Sequence, residues 1–235
     1  MPRRVSLLEV ASLAVALLVL SLALPSPPPA PPAEDGYGPV PEFHLSASCP
    51  DSAVQPEAGE GGIRLPVAPD SEDCPKNFMD AVSTSRIGAG LRFRAAFRGA
   101  AVAPNPSDEI AVFAADDTVS WVGKEFGFRC SLADGVLYGY MQDGTHRPDG
   151  YTFLRNVPLG VCDGTVHEYV ARARSVGGSN AAEFFVDGVR VGRIVRLGPE
   201  SYADGRYTMV ATTHRWEGGW DSTGLGLTLL GIEGL

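Results

Sequence analysis

Helical periodicity is the first thing this 235-residue sequence lacks. From Phe78 onward no stretch sustains the 3.6-residue apolar repeat of a surface helix, which leaves an all-β body. Close-spaced cysteines are missing as well. Cys49, Cys74, Cys130 and Cys162 form no CxxC pair and the histidines are scattered, which argues against a structural zinc site. Positive charge is scarce: 19 Lys and Arg against 28 Asp and Glu give a net charge of -9, a poor match for nucleic acid. Lysine is almost absent, a bias that a GC-rich genome produces with no functional cause. No internal repeat is present, and no Ser-His-Asp order can be assembled from spacing alone.

The charge is unevenly placed. Residues 24–75 hold nine acids against Arg64 alone, whereas residues 76–235 hold eighteen acids and sixteen bases. The acidity therefore belongs to an N-terminal extension. Arg3-Arg4 followed by the apolar run Val5–Leu24 has the layout of an export signal, with Ser21 and Ala23 as small residues before a cleavage point. The run is also long enough to span a bilayer as a helix, so cleaved signal and retained anchor both stand. Either way the remainder lies outside the cytoplasm, secreted or anchored by residues 5–24, and the membrane is a partner only through that segment. Pro25–Pro32 is a semi-rigid polyproline spacer. The expected organisation is residues 1–24 as signal or anchor, 25–75 as a Pro-rich acidic linker, and 76–235 as the folded domain. Within the linker, Phe43–Leu45 and Ile63–Leu65 can each form a brief edge strand, the first a possible start to the sandwich. In an exported chain the cysteines read as disulfides, with Cys49–Cys74 and Cys130–Cys162 the preferred pairing of three possible ones.

The body consists of short alternating runs separated by Gly, Pro, Asn and Asp. Leu91, Phe93, Ala95 and Phe97 alternate with Arg92, Arg94 and Arg98. Ile110 and Val112 face away from Glu109, Ala111 and Phe113. Phe126, Phe128 and Cys130 alternate with Glu125 and Arg129, and Leu137 and Met141 with Tyr138, Tyr140 and Gln142. With Tyr151–Val157, Tyr207–Thr213 and Leu225–Ile232 the count reaches roughly ten to twelve strands, the pattern of an antiparallel sandwich or barrel. Residues 165–194 form a meander. Val166–Arg174 and Ala182–Val186 are separated by Gly177–Asn180, and Asp187-Gly188, a pair suited to a type I′ turn, leads into Val189–Ile194.

His167-x-Tyr169, a Gly-rich turn and Glu183-Phe-Phe-Val-Asp187-Gly188 together resemble the hairpin of the concanavalin A-like lectin/glucanase superfamily, in particular laminarinase-type glycoside hydrolases and laminin G-like modules. The resemblance implies a jelly roll of two large antiparallel sheets, one of them curved, whose concave face binds polysaccharide. His167 is expected to serve the hairpin's packing and hydrogen bonding. In the laminarinase-like enzymes a Glu-x-Asp-x-(x)-Glu strand precedes the hairpin. Here Asp108–Asp117 occupies that place. Glu109 matches the first acid, Ala111 stands for the Asp, and the last acid position falls on Phe113 or Ala114 according to register. A retaining glycosidase needs two carboxyl groups about 5 Å apart, and this strand offers one. The acids of a lectin-type metal site are missing in the same way. No cofactor is expected, structural calcium is compatible with the fold but carried by no motif, and Asp116-Asp117 reads as a turn.

If Leu137 and Met141 face the core, the adjacent strands present Glu125, Arg129, Tyr138, Tyr140 and Gln142 as one patch, though Tyr is also simply a good strand residue. Aromatic faces stack on the C–H side of sugar rings, while Arg, Gln and Glu hydrogen-bond hydroxyls. Trp216 and Trp220 lie in a Gly-bearing loop and either join a contact site or fold back to plug one end of the sandwich. Trp121 reads as core or edge, and His146 and His214 lie in or beside loops. The expected function is an exported carbohydrate-binding module without catalysis, its partner a polysaccharide or glycan. The alternatives are a divergent glycoside hydrolase or polysaccharide lyase using Glu109 or Glu125, and a structural or adhesive envelope protein. Oligomeric state is not legible.

Overall fold

A computed structural model describes residues 42–49, 54–69, 76–116, 123–143, 153–176, 179–197 and 202–234. Residues 5–24, Trp121, His146, Asp117 and Cys74 lie outside the described residues, as does the Pro25–Pro32 spacer. The described residues form two seven-stranded antiparallel sheets. In chain order the strands are β1 (Phe43–Ala47), β2 (Glu57–Gly59), β3 (Gly62–Pro66), β4 (Asn77–Ile87), β5 (Gly90–Arg98), β6 (Glu109–Ala115) and β7 (Lys124–Ser131). They continue as β8 (Val136–Asp143), β9 (Phe153–Val161), β10 (Asp163–Val176), β11 (Ser179–Val186), β12 (Val189–Leu197), β13 (Tyr207–Arg215) and β14 (Gly226–Gly234). Sheet A runs β1-β4-β13-β6-β7-β8-β9 and sheet B runs β12-β11-β10-β5-β14-β3-β2.

Alternation explains the layering. Side chains on a strand point to opposite faces in turn, so one apolar row per strand suffices to bury a sheet. Phe93 and Phe97 from β5, Tyr169 from β10 and Phe184 from β11 meet Phe126 and Phe128 from β7 between the sheets. Phe93 stacks on Tyr169 at 5.2 Å and meets Phe128 edge-on at 5.6 Å. Phe128 meets Phe184 at 5.6 Å. Each such buried ring contributes about 1.5–3 kcal/mol relative to exposure. The hydroxyls at one end are satisfied: Tyr207 donates to the Tyr202 carbonyl at 2.6 Å and Tyr202 to the Gln142 carbonyl at 2.7 Å. Burial pushes both phenols well above their ordinary pKa.

The expected meander is present as β10, β11 and β12, paired antiparallel in sequence order. Asp187 (φ 48°) and Gly188 (φ 76°) both occupy the left-handed region, as a type I′ turn demands. The Asp187 carboxylate then reaches back across the hairpin. It accepts the Glu168 N–H at 3.0 Å and lies 2.6 Å from Nδ1 of His167. The spacing of His167 and Asp187 is thus a clamp on the hairpin.

The sandwich takes in strands from before residue 76. β1 pairs with β4, and β3 pairs with β14 and is interior to sheet B, flanked on its other side by the short β2. Phe43 lies on the edge strand of sheet A, as expected of a possible start to the sandwich, whereas Ile63, expected in a brief edge strand, lies on an interior strand of sheet B. Cys130 and Cys162 form a disulfide. Cys49 is also disulfide-bonded.

Candidate functional site: the outer face of sheet A

The strands β4, β13, β6, β7 and β8 are neighbours in sheet A, and their outward rows make one surface. Glu109, Ala111 and Phe113 of β6 do project together from that face. Ala114 belongs to the core, so the last of the three positions is Phe113. Ala111, Phe113, Ala115, Tyr140 and Val210 form a small buried apolar cluster of their own there, with Val82 against it. The floor of the surface is therefore apolar where the resemblance places acids.

A depression of about 190 Å³ opens over this floor, lined among others by Glu109, Phe113, Glu125, Arg129, Tyr140, Gln142, His214 and Trp216. Glu125 and Gln142 are register partners on β7 and β8 and both are buried. Tyr140 is buried beside them, 6.0 Å from the Phe113 ring. Burial, then the carboxylates of Glu125 and Glu109, push its phenol well above 10, so it stays protonated.

The other end of the depression is a charged and aromatic cluster. Arg129 pairs with Glu109 at 3.2 Å. His214 stands between two carboxylates, with Nδ1 3.9 Å from Glu109 and Nε2 4.0 Å from Asp80. Thr212 donates to Asp80 at 2.5 Å. The Phe78 ring lies 4.9 Å from both His214 and Trp216, and the Lys76 ammonium sits 5.3 Å over the Trp216 ring.

Trp216 owes its position to the groups beneath it. Asp108, fully buried, accepts the Trp216 N–H at 2.6 Å. Burial outweighs that bond and the nearby Arg215, and holds the Asp108 carboxyl above its ordinary pKa. Arg215 is buried too, and donates to the carbonyls of Ala68 at 2.7 Å and of Glu217 and Trp220 at 3.3 Å.

Of the residues expected at the site, Glu125, Arg129, Tyr140, Gln142 and Trp216 are brought together, joined by Glu109. Tyr138 shares the face but gives its hydroxyl to Asp134 at 2.7 Å, outside the depression. Trp220 separates from Trp216: it packs against the core, lies 4.8 Å from the Arg215 guanidinium and donates to the Glu217 carbonyl at 2.8 Å. The loop therefore divides the two readings between its two indoles. His214, expected in or beside a loop, is on β13 and inside the cluster. Asp80 and Phe78 were not singled out by the sequence. Their signal, a polar or aromatic residue on the outward row of a strand, becomes specific only when β4 is known to lie two strands from β6. Among the described residues no three His, Cys, Asp or Glu side chains converge to hold a metal ion.

These two sheets and their order define a concanavalin A-like jelly roll, and comparison with solved structures gives the same fold. The chain is similar to a prokaryotic β-1,3-1,4-glucanase (lichenase) derived from a mouse hindgut metagenome, with 14% identity over 84% of this chain and 94% of that one, TM-score 0.54. It is similar to a legume lectin-like domain from Entamoeba histolytica, with 8% identity over 82% and 88%, TM-score 0.52. It also resembles the mixed-linkage glucan glycoside hydrolase of family GH16 from Bacteroides ovatus, solved with a G4G4G3G product, with 10% identity over 85% and 97%, TM-score 0.52. No protein-family model and no curated protein matches the sequence.

Proposed function

We propose that this chain is an exported carbohydrate-binding protein, and that a neutral glycan lies across the outer face of sheet A without being hydrolysed. The observation that carries the reading is the outward row of β6: Glu109, Ala111 and Phe113, with Glu109 held by Arg129. Glu125, the other acid called on sequence, is the register partner of Ala115, six positions along the strand from Glu109. At 3.3 Å per residue that is roughly 20 Å between backbones, a spacing that disfavours a nucleophile and proton donor whose carboxyl groups must come to about 5 Å. Meanwhile Trp216 and the Phe113–Tyr140 floor supply apolar faces for sugar rings. Glu125, Gln142 and Arg129 supply hydrogen bonds to hydroxyls. The two carboxylates of its lining, Glu109 and Glu125, disfavour a polyanion in this groove.

Export is supported by Arg3-Arg4 and the apolar run after it, and by a disulfide of the kind that persists in oxidising compartments. The neighbours named for β-glucan make that polymer the first ligand to try. Trp216→Ala is expected to lower retention in a β-glucan affinity gel by about tenfold or more, the weight of one stacked aromatic, with the chain still folded at the temperature of the gel. Equal retention of variant and parent would remove Trp216 from the site.

A second reading draws on His214. An imidazole between Asp80 and Glu109 is an arrangement that can move a proton, as a hydrolase or lyase of this fold requires. It predicts release of reducing ends from a polysaccharide, abolished by Glu109→Gln. Retention without release supports binding.

A further inference from the structure

The outer face of sheet B carries a second cleft, on the opposite side of the sandwich from the first. It has a volume of about 460 Å³, within the range of small-molecule sites. Its floor is built of small residues. Thr228 of β14 is the register partner of Ala96 on one side and Arg64 on the other. Gly226, one row along, lies opposite Arg98. The lining also includes Val54, Pro69 and the Ser222–Leu225 loop, which is tied to the end of β3 where the Val67 N–H donates to the Leu225 carbonyl at 3.0 Å.

The two arginines are free to receive a ligand to different degrees. Arg64 meets Glu57 at 3.7 Å, with both side chains about 70% exposed, a pair that water and salt screen strongly. Arg98 is exposed and has Asp163 as its register partner. Asp163 is engaged elsewhere: it accepts the Thr165 N–H at 2.8 Å and lies 3.8 Å from His167. Arg98 instead lies along Gly164, where an added Cβ would come within 3.1 Å of its Nε. Among the described residues Arg98 makes no ion pair, and neither does Arg94 on the same row of β5.

We infer that this cleft binds the anionic substituent of an acidic polysaccharide, a sulfate ester or a uronate, between Arg64 and Arg98. Guanidinium groups match such oxyanions with paired donors. A free inorganic anion would leave most of the cleft empty, whereas a sugar ring bearing the charge can rest on the exposed Pro69 and the half-buried Val54 of its lining. The groove on sheet A, lined by the carboxylates of Glu109 and Glu125, suits an uncharged ligand. The two faces would then hold a neutral and an acidic glycan.

The test is affinity electrophoresis of the full chain in gels containing dextran sulfate, sodium alginate or plain dextran. Retardation is expected with dextran sulfate or alginate, which separates sulfate from carboxylate recognition, and not with dextran. Arg64→Gln with Arg98→Gln should weaken it by about tenfold or more, as loss of charge-assisted contacts does. Thr228→Glu, which puts a carboxylate on the floor, should do the same. Arg155→Gln, on β9 of the other sheet, and Trp216→Ala should leave it unchanged. Binding that survives the double variant, that falls equally with Arg155→Gln, or that is absent for both polyanions would overturn the inference. Failure of β-glucan retention would leave these outcomes as they are and count only against the groove on sheet A.

Discussion

His167 and Asp187 illustrate how a single pair can report both sequence and stability. Burial raises the Asp187 pKa, but the Glu168 N–H and His167 more than offset it, and the carboxyl ends below its ordinary value. Asp163 is lowered in the same way by Thr165 and His167. A group with a depressed folded pKa stabilises the fold above its unfolded pKa and loses that contribution as pH falls through the folded value. The hairpin clamp should therefore act at neutral pH and fade below about pH 4. Asp108 has the opposite sign, since burial raises its pKa and its ionisation costs stability as pH rises. Asp187→Asn keeps an acceptor for Glu168 but removes the charge beside His167. Because Asp187 is 56% exposed, the expected loss at pH 7 is only about 0.5–1 kcal/mol. Thermal melts from neutral to acid pH should show the variant below the parent at pH 7 and converging with it in acid. Parallel curves would mean that the pair does no electrostatic stabilising.

At the scale of elements, local alternation carried most of what was legible. The inward rows of β5, β7 and β8 follow directly from Leu91–Phe97, Phe126–Cys130 and Leu137–Met141, and so does the patch of Glu125, Arg129, Tyr140 and Gln142. What the sequence could not yield is the neighbour relation of β4, β13 and β6. His214 meets Glu109 and Asp80 only because strands far apart in sequence pair side by side. No local pattern encodes such a pairing. The two sheets also interlock at positions where size, not polarity, is decisive. Gly139 points from β8 into the core, and a Cβ there would meet the Phe184 ring at 2.6 Å. Gly139→Ala should destabilise by about 1–3 kcal/mol through overpacking. Phe184→Leu in the same chain should recover part of that loss, a coupling that denaturant titration of the two single variants and the double variant will measure. Strict additivity would mean the two positions do not touch in solution.

At the scale of the molecule, ties between described residues join the two layers, and one of them depends on the redox state of the surroundings. Asp143, fully buried on β8 of sheet A, pairs with Arg196 on β12 of sheet B. Cys130 on β7 is bridged to Cys162, which sits where the chain leaves β9 of sheet A for β10 of sheet B. Gly99, at the end of β5, donates its N–H to the Cys162 carbonyl at 3.3 Å, and a Cβ there would come within 2.2 Å of the Cys130 sulfur. The bridge thus fills the space a larger residue would need. It closes a loop of 32 residues, for which restriction of the unfolded chain contributes about 2–4 kcal/mol. For a domain of this size each kcal/mol is about 2–4 °C. Cys130→Ala with Cys162→Ala should therefore lower the melting temperature by roughly 5–15 °C. Dithiothreitol should lower that of the parent by at least as much. The outer face of sheet A lies away from the bridge, so retention on β-glucan at 25 °C should persist in the double variant. A melting temperature indifferent to reductant would show that the bridge is not formed, and would remove the disulfide from the support for export.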